Sequence, residues 1–215
     1  MLICLFNAKG GVSKSTCAVH LTYYLKAIFN KTVCLIDADP MRISSFWTKE
    51  LGIDVPVHQL TDPNDFLEQI PDISQQADYT VIDCPANASE MNRAIIFALG
   101  REDKLLIPVK PTSVDKIASN PTLRLIKQAT LHGKDFKAAT FISMAHRSRA
   151  VTSETMEYLK GKQDETGVKV LSNIIYDKAS IADALDQGGV VWNMGSRASS
   201  EKQEFIHWCE EIIKL

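Results

Sequence analysis

The stretch Asn7–Thr16, with the sequence NAKGGVSKST, decides the fold of this chain. It follows a short apolar run, Leu2–Phe6, of the kind that forms a buried parallel strand, and it precedes a helical pattern. Two adjacent glycines, Gly10 and Gly11, allow the backbone to turn tightly, and the N–H groups at the start of a following helix favour an anion. The stretch therefore predicts a strand–loop–helix unit that binds phosphate.

The side chains of this loop carry the chemistry that a phosphate site needs. Lys14 supplies a positive charge for phosphate, and the hydroxyl of Ser15 supplies a ligand for Mg²⁺. A glycine-rich turn with two surface lysines is the alternative, which the later motifs disfavour. The nucleotide-binding residues predicted from the loop are Lys9, Gly10, Gly11, Val12, Ser13, Lys14, Ser15 and Thr16.

The loop differs from the common pattern G-x-x-x-x-G-K-[ST], which has glycine at the positions of Ala8 and Ser13. It has an extra lysine, Lys9, five residues before Lys14. This arrangement resembles the deviant Walker A loop of the ParA/MinD family, in which glycine usually stands at the position of Ser13. The resemblance implies that Lys9 reaches across a dimer interface to the nucleotide of the partner subunit.

Two further motifs place carboxylates after apolar strand patterns: LIDADP at residues 35–40 and VIDCP at residues 81–85. Because the carboxyl ends of parallel strands meet at one edge of a sheet, these carboxylates are expected near Lys14. Unpaired buried charge is costly, so their presence there favours a functional site. Asp83 is placed as in a Walker B segment and is expected to hold Mg²⁺ through a water.

The same two motifs resemble the D-x-D-P switch and the D-x-P Walker B segment of the ParA/MinD family. The resemblance implies that Asp39 positions the attacking water and that Asp37 supports the metal site and Lys9. Met41 stands where members of the family often have glutamine. The predicted catalytic residues are Lys9, Lys14 and Asp39, and the predicted metal residues are Ser15, Asp37 and Asp83.

Two later segments extend the resemblance, which spans the chain from Leu2 to the last helix. PVKPTSVD at residues 108–115 resembles a segment near the dimer face of small ParF-type proteins, although on the sequence alone a strand end punctuated by prolines is the better explanation. NIIYD at residues 173–177, followed by the stretch 179–188, resembles a loop that flanks adenine. The predicted base pocket consists of Ser143, Met144, Ile175, Tyr176 and Asp177.

Strand-like and helical patterns alternate along the chain, and this alternation predicts an α/β fold. We expect a mostly parallel twisted sheet with helices on both faces, in a single P-loop NTPase domain over residues 1–215, without an N-terminal helix-turn-helix. The predicted strands are 2–6, 32–37, 79–83, 104–109, 140–142 and 168–175. The predicted helices are 15–29, 92–99, 114–131 and 153–162.

Composition narrows the class of protein. The 215 residues are 45% hydrophobic, enough for a sizeable core, and the formal net charge of −2 indicates no particular partner. The five cysteines form no C-x-x-C pair, which argues against structural zinc and against a disulfide framework. Since no signal segment or long apolar run is present, a cytoplasmic location is expected.

The family resemblance implies an ATP- and Mg²⁺-dependent homodimer that hydrolyses ATP slowly until a ParB-like or other adaptor protein stimulates it. Between Lys104 and Arg149 there are nine Lys or Arg residues and two acids, which favours nonspecific DNA binding and nucleoid association. Solvation of helix faces is the alternative. Arg147 and Arg149 are the candidate DNA contacts. The cargo is expected to be a plasmid or chromosome, or alternatively a protein compartment.

Two other classes are less compatible with the sequence. A MinD-like membrane switch needs a basic amphipathic C-terminus, whereas residues 201–213 are amphipathic but acidic, so we expect this segment to pack on the sheet and expect no membrane binding. A nitrogenase-type iron–sulfur protein needs cluster cysteines after the Walker B strand, where only Cys84 and Cys209 occur. A metabolic synthetase would need a small-molecule pocket that the sequence does not display.

Overall fold

The computed structural model describes residues 1–87, 89–146 and 150–215. Its centre is a seven-stranded sheet in the order β3-β2-β4-β1-β5-β6-β7, in which every described strand pair is parallel. The strands are β1 Leu2–Leu5, β2 Val33–Asp37, β3 Val57–Gln59, β4 Tyr79–Asp83, β5 Lys104–Val109, β6 Lys137–Ile142 and β7 Lys169–Val170. The predicted α/β class is confirmed.

Nine α-helices surround this sheet within the described residues. They are α1 Lys14–Tyr23, α2 Ile43–Glu50, α3 Pro63–Gln75, α4 Ser89–Ala98, α5 Ser113–Ala118, α6 Asn120–Leu131, α7 Val151–Thr166, α8 Ala179–Asp186 and α9 Ser199–Lys214. The predicted helix 15–29 corresponds to α1 and a π-helical turn at Tyr24–Ile28. Four of these elements, α2, β3, α3 and α8, were not predicted from the sequence.

The core has one apolar layer on each face of the sheet, because successive side chains of a strand point to opposite faces. In β1, Leu2 and Cys4 pack into one layer, and Ile3 and Leu5 pack into the other. All four residues are buried, as expected of a central parallel strand covered on both sides.

The C-terminal helix α9 closes one of these layers. Phe205, Trp208 and Ile212 are fully buried there, which confirms the prediction that this segment packs on the sheet. Lys104 is also buried, and its ammonium donates to the carbonyls of Ile212 and Ile213 at 2.7 and 2.9 Å. Among the described helices, none has the length and apolar character needed to cross a membrane.

The predicted helix over residues 114–131 is wrong in one respect, because the segment forms two helices, α5 and α6. Pro121 is the second residue of α6. Proline has no backbone N–H, and its ring collides with the carbonyl of the preceding turn, so it fits the start of a helix and interrupts a longer one.

The predicted strand 168–175 is also shorter than expected, since only β7 joins the sheet before an isolated bridge at Tyr176. The carboxylate of Glu211 on α9 accepts the backbone N–H groups of Ser172 and Asn173 at 2.7 and 3.0 Å. The Glu211 side chain thus accepts backbone N–H groups that a neighbouring strand would otherwise satisfy. Hydrophobic periodicity cannot predict such a contact.

Candidate nucleotide-binding site

The phosphate loop connects β1 to α1, and it contains two left-handed residues. Gly11 has φ of 71° and Ser13 has φ of 67°. Ser13 therefore adopts, with a side chain, a conformation that glycine adopts more cheaply. The hydroxyls of Ser13 and Ser143 both donate to the carbonyl of Val12, at 2.5 and 3.1 Å. The bond from Ser143, which follows β6, ties the loop to the end of that strand.

Left-handed backbone is concentrated at the carboxyl edge of the sheet. Besides Ser13, the residues Arg42, Asn87 and Met144 have φ between 53° and 60°, and they lie in the loops after β2, β4 and β6. Asn30 is the remaining such non-glycine residue in the described part of the chain. Strained backbone is typical of functional sites, so this edge is the first place to look for one.

A cleft of about 460 Å³ opens at this edge, within the size range of ligand sites. It is lined by Gly10, Gly11, Ser13, Lys14, Ser15, Thr16, Asp39, Met41, Ile43, Ala86 and Met144. Most of the predicted loop residues and Asp39 are thus brought together. Val12 lies buried behind them, and Met41, Ile43 and Ala86 were not predicted to line a site.

Lys14 is the buried cation of this cleft. Its ammonium donates to the carbonyl of Lys9 at 3.1 Å, so it lies inside the curve of the loop. Burial lowers the pKa of Lys14, while the nearby carboxylates of Asp83 and Asp39 oppose that shift. The positive charge of Lys14 is therefore held where the loop amides and the N-terminus of α1 also favour an anion.

Asp83 is a buried carboxylate whose oxygens have no protein hydrogen bond of good geometry. Burial raises its pKa to about 7, although the nearby hydroxyls of Ser15 and Ser44 act in the opposite direction. An orphaned buried carboxylate is costly unless a cation or water satisfies it. Because Mg²⁺ prefers oxygen ligands and retains water, Ser15 and Asp83 fit a magnesium site.

Asp37 lies beside Asp83, since the two are register partners on β2 and β4. Its Oδ1 accepts the backbone N–H of Asp39 at 3.2 Å, and its Oδ2 accepts that of Ser45 at 2.8 Å. This buried carboxylate therefore fixes the segment between β2 and α2 at two points. Its predicted support of a metal remains a prediction.

Asp39 is half-buried at the wall of the cleft. Its Oδ1 accepts the backbone N–H of Met41 at 2.9 Å, which orients the carboxylate. Fixed at one oxygen and facing the same cleft as Lys14, this carboxylate is placed where it could orient a water beside bound phosphate.

A second cavity of about 190 Å³ adjoins the cleft, with Ser13, Thr16 and Met144 lining both. The predicted base-pocket residues Met144, Ile175, Tyr176 and Asp177 all line it. Trp47, Ile181 and Leu185 complete its apolar walls. Ile181 and Leu185 belong to the predicted stretch 179–188, whereas Trp47 was not predicted because it lies on the unpredicted helix α2. The predicted Ser143 instead binds the phosphate loop.

Lys9 does not line the cleft. Its ammonium forms an ion pair with Asp115 at the third position of α5, in the same chain. Asp115 lies in the segment 108–115 identified from the sequence, but its contact with Lys9 was not predicted. A separation of 106 positions gives no local signal for that contact.

The basic stretch from Lys104 to Arg149 is not one continuous surface. Lys104 is buried, and Lys137 pairs with Glu102 at 3.0 Å. Arg147 and Arg149, the candidate DNA contacts, lie outside the residues that the structure describes.

The fold and the site together define a P-loop ATPase that uses ATP and Mg²⁺. The chain belongs to the CobQ/CobB/MinD/ParA nucleotide binding domain family, whose model matches residues 3–191.

Individual relatives match over nearly the whole chain. Maintenance of carboxysome distribution protein A from Halothiobacillus neapolitanus is 29% identical over 212 residues, which cover 96% of this chain and 94% of that protein. Protein ParA from Rhizobium radiobacter is 24% identical over 198 residues, covering 91% and 87%. The structure of apo McdA from Cyanothece superposes with a TM-score of 0.78 at 17% identity, covering 98% of each chain. This last likeness shows the fold.

Proposed function

We propose that this protein is an ATP-dependent homodimeric switch that positions a cargo together with an adaptor protein. The observation that carries the proposal is the convergence of Lys14, Ser15, Asp39 and Asp83 at one edge of the sheet, with Lys9 held just outside the cleft.

The residues of the cleft have different roles in the proposed hydrolysis of ATP. The loop amides and Lys14 bind the β- and γ-phosphates, and Asp39 orients the attacking water. Ser15 and Asp83 would hold Mg²⁺, which supplies neutralisation of phosphate charge when bound. Catalysis of this kind consists mainly of positioning and electrostatic stabilisation.

Lys9 gives the switch its dependence on dimerisation. In this proposal its ammonium leaves its own subunit and contacts the phosphates bound by the second subunit. A cation delivered in trans can accelerate phosphoryl transfer by roughly 10³–10⁵. A single subunit would therefore turn over slowly, and an adaptor that stabilises the productive dimer would stimulate it.

The relatives favour two classes of cargo. Similarity to Protein ParA supports plasmid or chromosome partition with a ParB-like adaptor. The relative with 29% identity is named for carboxysome distribution, which supports a protein compartment as the second candidate. In both cases we propose nonspecific DNA as the track, so that the protein is cytoplasmic and associates with the nucleoid when ATP is bound.

Two basic side chains of α6 are further candidates for contact with such a track. Arg124 is exposed on α6, and Lys127 lies one turn further along the same helix. Residues three positions apart share a helix face, so both charges can contact one phosphate backbone.

Fluorescence anisotropy of a random-sequence DNA duplex tests the proposed nonspecific DNA binding. We expect binding with ATP and Mg²⁺ but not with ADP, and a steep loss of affinity as salt rises. Replacing both Arg124 and Lys127 with Gln should weaken binding and reduce the salt dependence, as should Arg147→Ala or Arg149→Ala. Arg101→Gln is the matched control, because Arg101 is exposed but pairs with Asp135. Absence of binding with either nucleotide would reject the DNA track.

A further inference from the structure

The ion pair between Lys9 and Asp115 joins the phosphate loop to α5 within one chain. The Lys9 side chain is 31% exposed, whereas that of Asp115 is 8% exposed. The ammonium is therefore reachable from outside the molecule, while the carboxylate that holds it lies almost entirely inside. The phosphate chemistry of the cleft gives Asp115 no role.

Asp115 is held by Thr112 as well as by Lys9. Thr112 caps α5 by accepting the backbone N–H of Asp115 at 3.0 Å, and the Thr112 hydroxyl donates to Oδ2 of the same residue. The other oxygen, Oδ1, is directed at Lys9. Burial alone would raise the pKa of Asp115, but Lys9 and Thr112 outweigh it and hold the pKa below its usual range.

The backbone of Lys9 is fixed as well. Its N–H donates to Oδ1 of Asn7 at 3.0 Å, and its carbonyl accepts the ammonium of Lys14 at 3.1 Å. Asn7 is itself tied to β5 through the carbonyl of Pro108 at 2.9 Å. Both lysines of the loop are thus held by groups of their own subunit.

We propose that Asp115 is a positioning residue that retains Lys9 on its own subunit and competes for it with the triphosphate of the second subunit. The proposal rests on the function proposed above. Transfer of Lys9 leaves Asp115 buried without its counter-ion, which is costly. This cost opposes dimerisation and sets the protein concentration at which ATP-bound dimers form.

The variant Asp115→Asn tests this competition. Asparagine has nearly the same shape and can still accept the Thr112 hydroxyl, but it lacks the charge that retains Lys9. With a non-hydrolysable ATP analogue and Mg²⁺, the midpoint concentration for dimer formation should fall about tenfold in analytical ultracentrifugation. The reason is that Lys9 of each of the two subunits no longer has to leave an ion pair with residue 115. Glu154→Gln is the matched control. It removes the carboxylate on α7 that pairs with Lys116, the residue after Asp115 on α5, and the midpoint concentration should not change.

Two further readouts separate positioning from a structural effect. Acetylation of Lys9 by an amine-reactive ester, measured relative to exposed Lys169, should rise several-fold in Asp115→Asn. Adding Asp115→Asn to Lys9→Ala should leave the dimer midpoint of Lys9→Ala unchanged. A midpoint in Asp115→Asn equal to or above that of the wild-type protein would overturn the proposal, as would the same shift in the Lys9→Ala background.

Failure of the underlying function gives a different result. If the wild-type protein remains monomeric with the analogue, the dimer proposal itself fails and the competition fails with it. If dimers form but Lys9 is acetylated equally in the wild-type protein and in Asp115→Asn, then dimerisation stands and only the role of Asp115 is overturned.

Discussion

In the proposed function, Lys14 binds the phosphates and Asp39 orients the attacking water, so substituting each residue should separate nucleotide binding from turnover. Lys14→Ala removes the buried cation of the loop, and nucleotide affinity should fall by at least about 100-fold in isothermal titration calorimetry. Asp39→Ala should retain affinity near that of the wild-type protein but lose about 10²- to 10³-fold in phosphate release, because only the attacking water loses its partner.

Lys169→Ala provides a control for the loss of one lysine charge, since Lys169 is exposed on the edge strand β7 and does not line the cleft. Unchanged phosphate release in Asp39→Ala would remove this residue from catalysis. Tight ATP binding by Lys14→Ala would count against the assignment of the phosphate loop.

The residues that the sequence identified share one property: each lies in a short contiguous motif whose spacing carries the chemistry. The placement of Lys14, Ser15 and Asp39 at one cleft could be predicted in this way, because a loop and a strand end determine their positions. The partner of Lys9 could not be assigned, because it depends on how β5 and α5 are placed against β1.

At the scale of elements, α1 is joined to the rest of the molecule through His20. Its Nδ1 lies 2.8 Å from the carbonyl of Thr16, and its Nε2 accepts the N–H of Val191 at 3.3 Å. Only the neutral ring with a proton on Nδ1 can make both bonds. The ring also stacks on Phe205 of α9 at 4.2 Å and meets Trp47 of α2 edge-on at 5.5 Å.

This environment predicts a pH-dependent stability. Burial lowers the pKa of His20 to about 4 from its ordinary 6.5, although the bond to Thr16 acts in the opposite direction. Between these two values the unfolded chain binds the proton and the folded chain does not, so stability falls as pH falls. The loss attributable to His20 between pH 7 and pH 4 is about 3 kcal/mol.

Urea unfolding of the wild-type protein and His20→Gln at pH 7 and pH 5 measures this contribution. The variant should be less stable at pH 7 but should lose less stability on acidification than the wild-type protein. The exposed His132 supplies the control His132→Gln, which should retain the full pH dependence. Equal pH dependence in His20→Gln and the wild-type protein would contradict the assignment.

Elements were predictable where hydrophobic periodicity decides them and not where a distant side chain does. β5 has its predicted bounds, because Lys104–Val109 is buried on both faces. The segment after β7 leaves the sheet because Glu211 satisfies its backbone, and helix α5 ends because of a proline in the next turn. The contact with Glu211 could not be seen in the local sequence pattern, whereas Pro121 could.

At the scale of the whole molecule, the central claim is that Lys9 acts on the nucleotide of a second subunit. The motifs carry that claim only through resemblance to a family, since one chain cannot show where its lysine goes in a dimer. In this structure Lys9 is paired with Asp115 of its own chain, so action in trans requires that this pair exchange for phosphate.

The most direct test is ATP hydrolysis by a mixture of two inactive variants, Lys9→Ala and Asp39→Ala. In a mixed dimer, the site of the Lys9→Ala subunit retains its own Asp39 and receives Lys9 from its partner. Random pairing makes half of the dimers mixed, each with one intact site of two, so the mixture should recover about a quarter of wild-type turnover. If Lys9 acts within its own subunit, no site is complete, and a mixture no more active than its components would contradict the account.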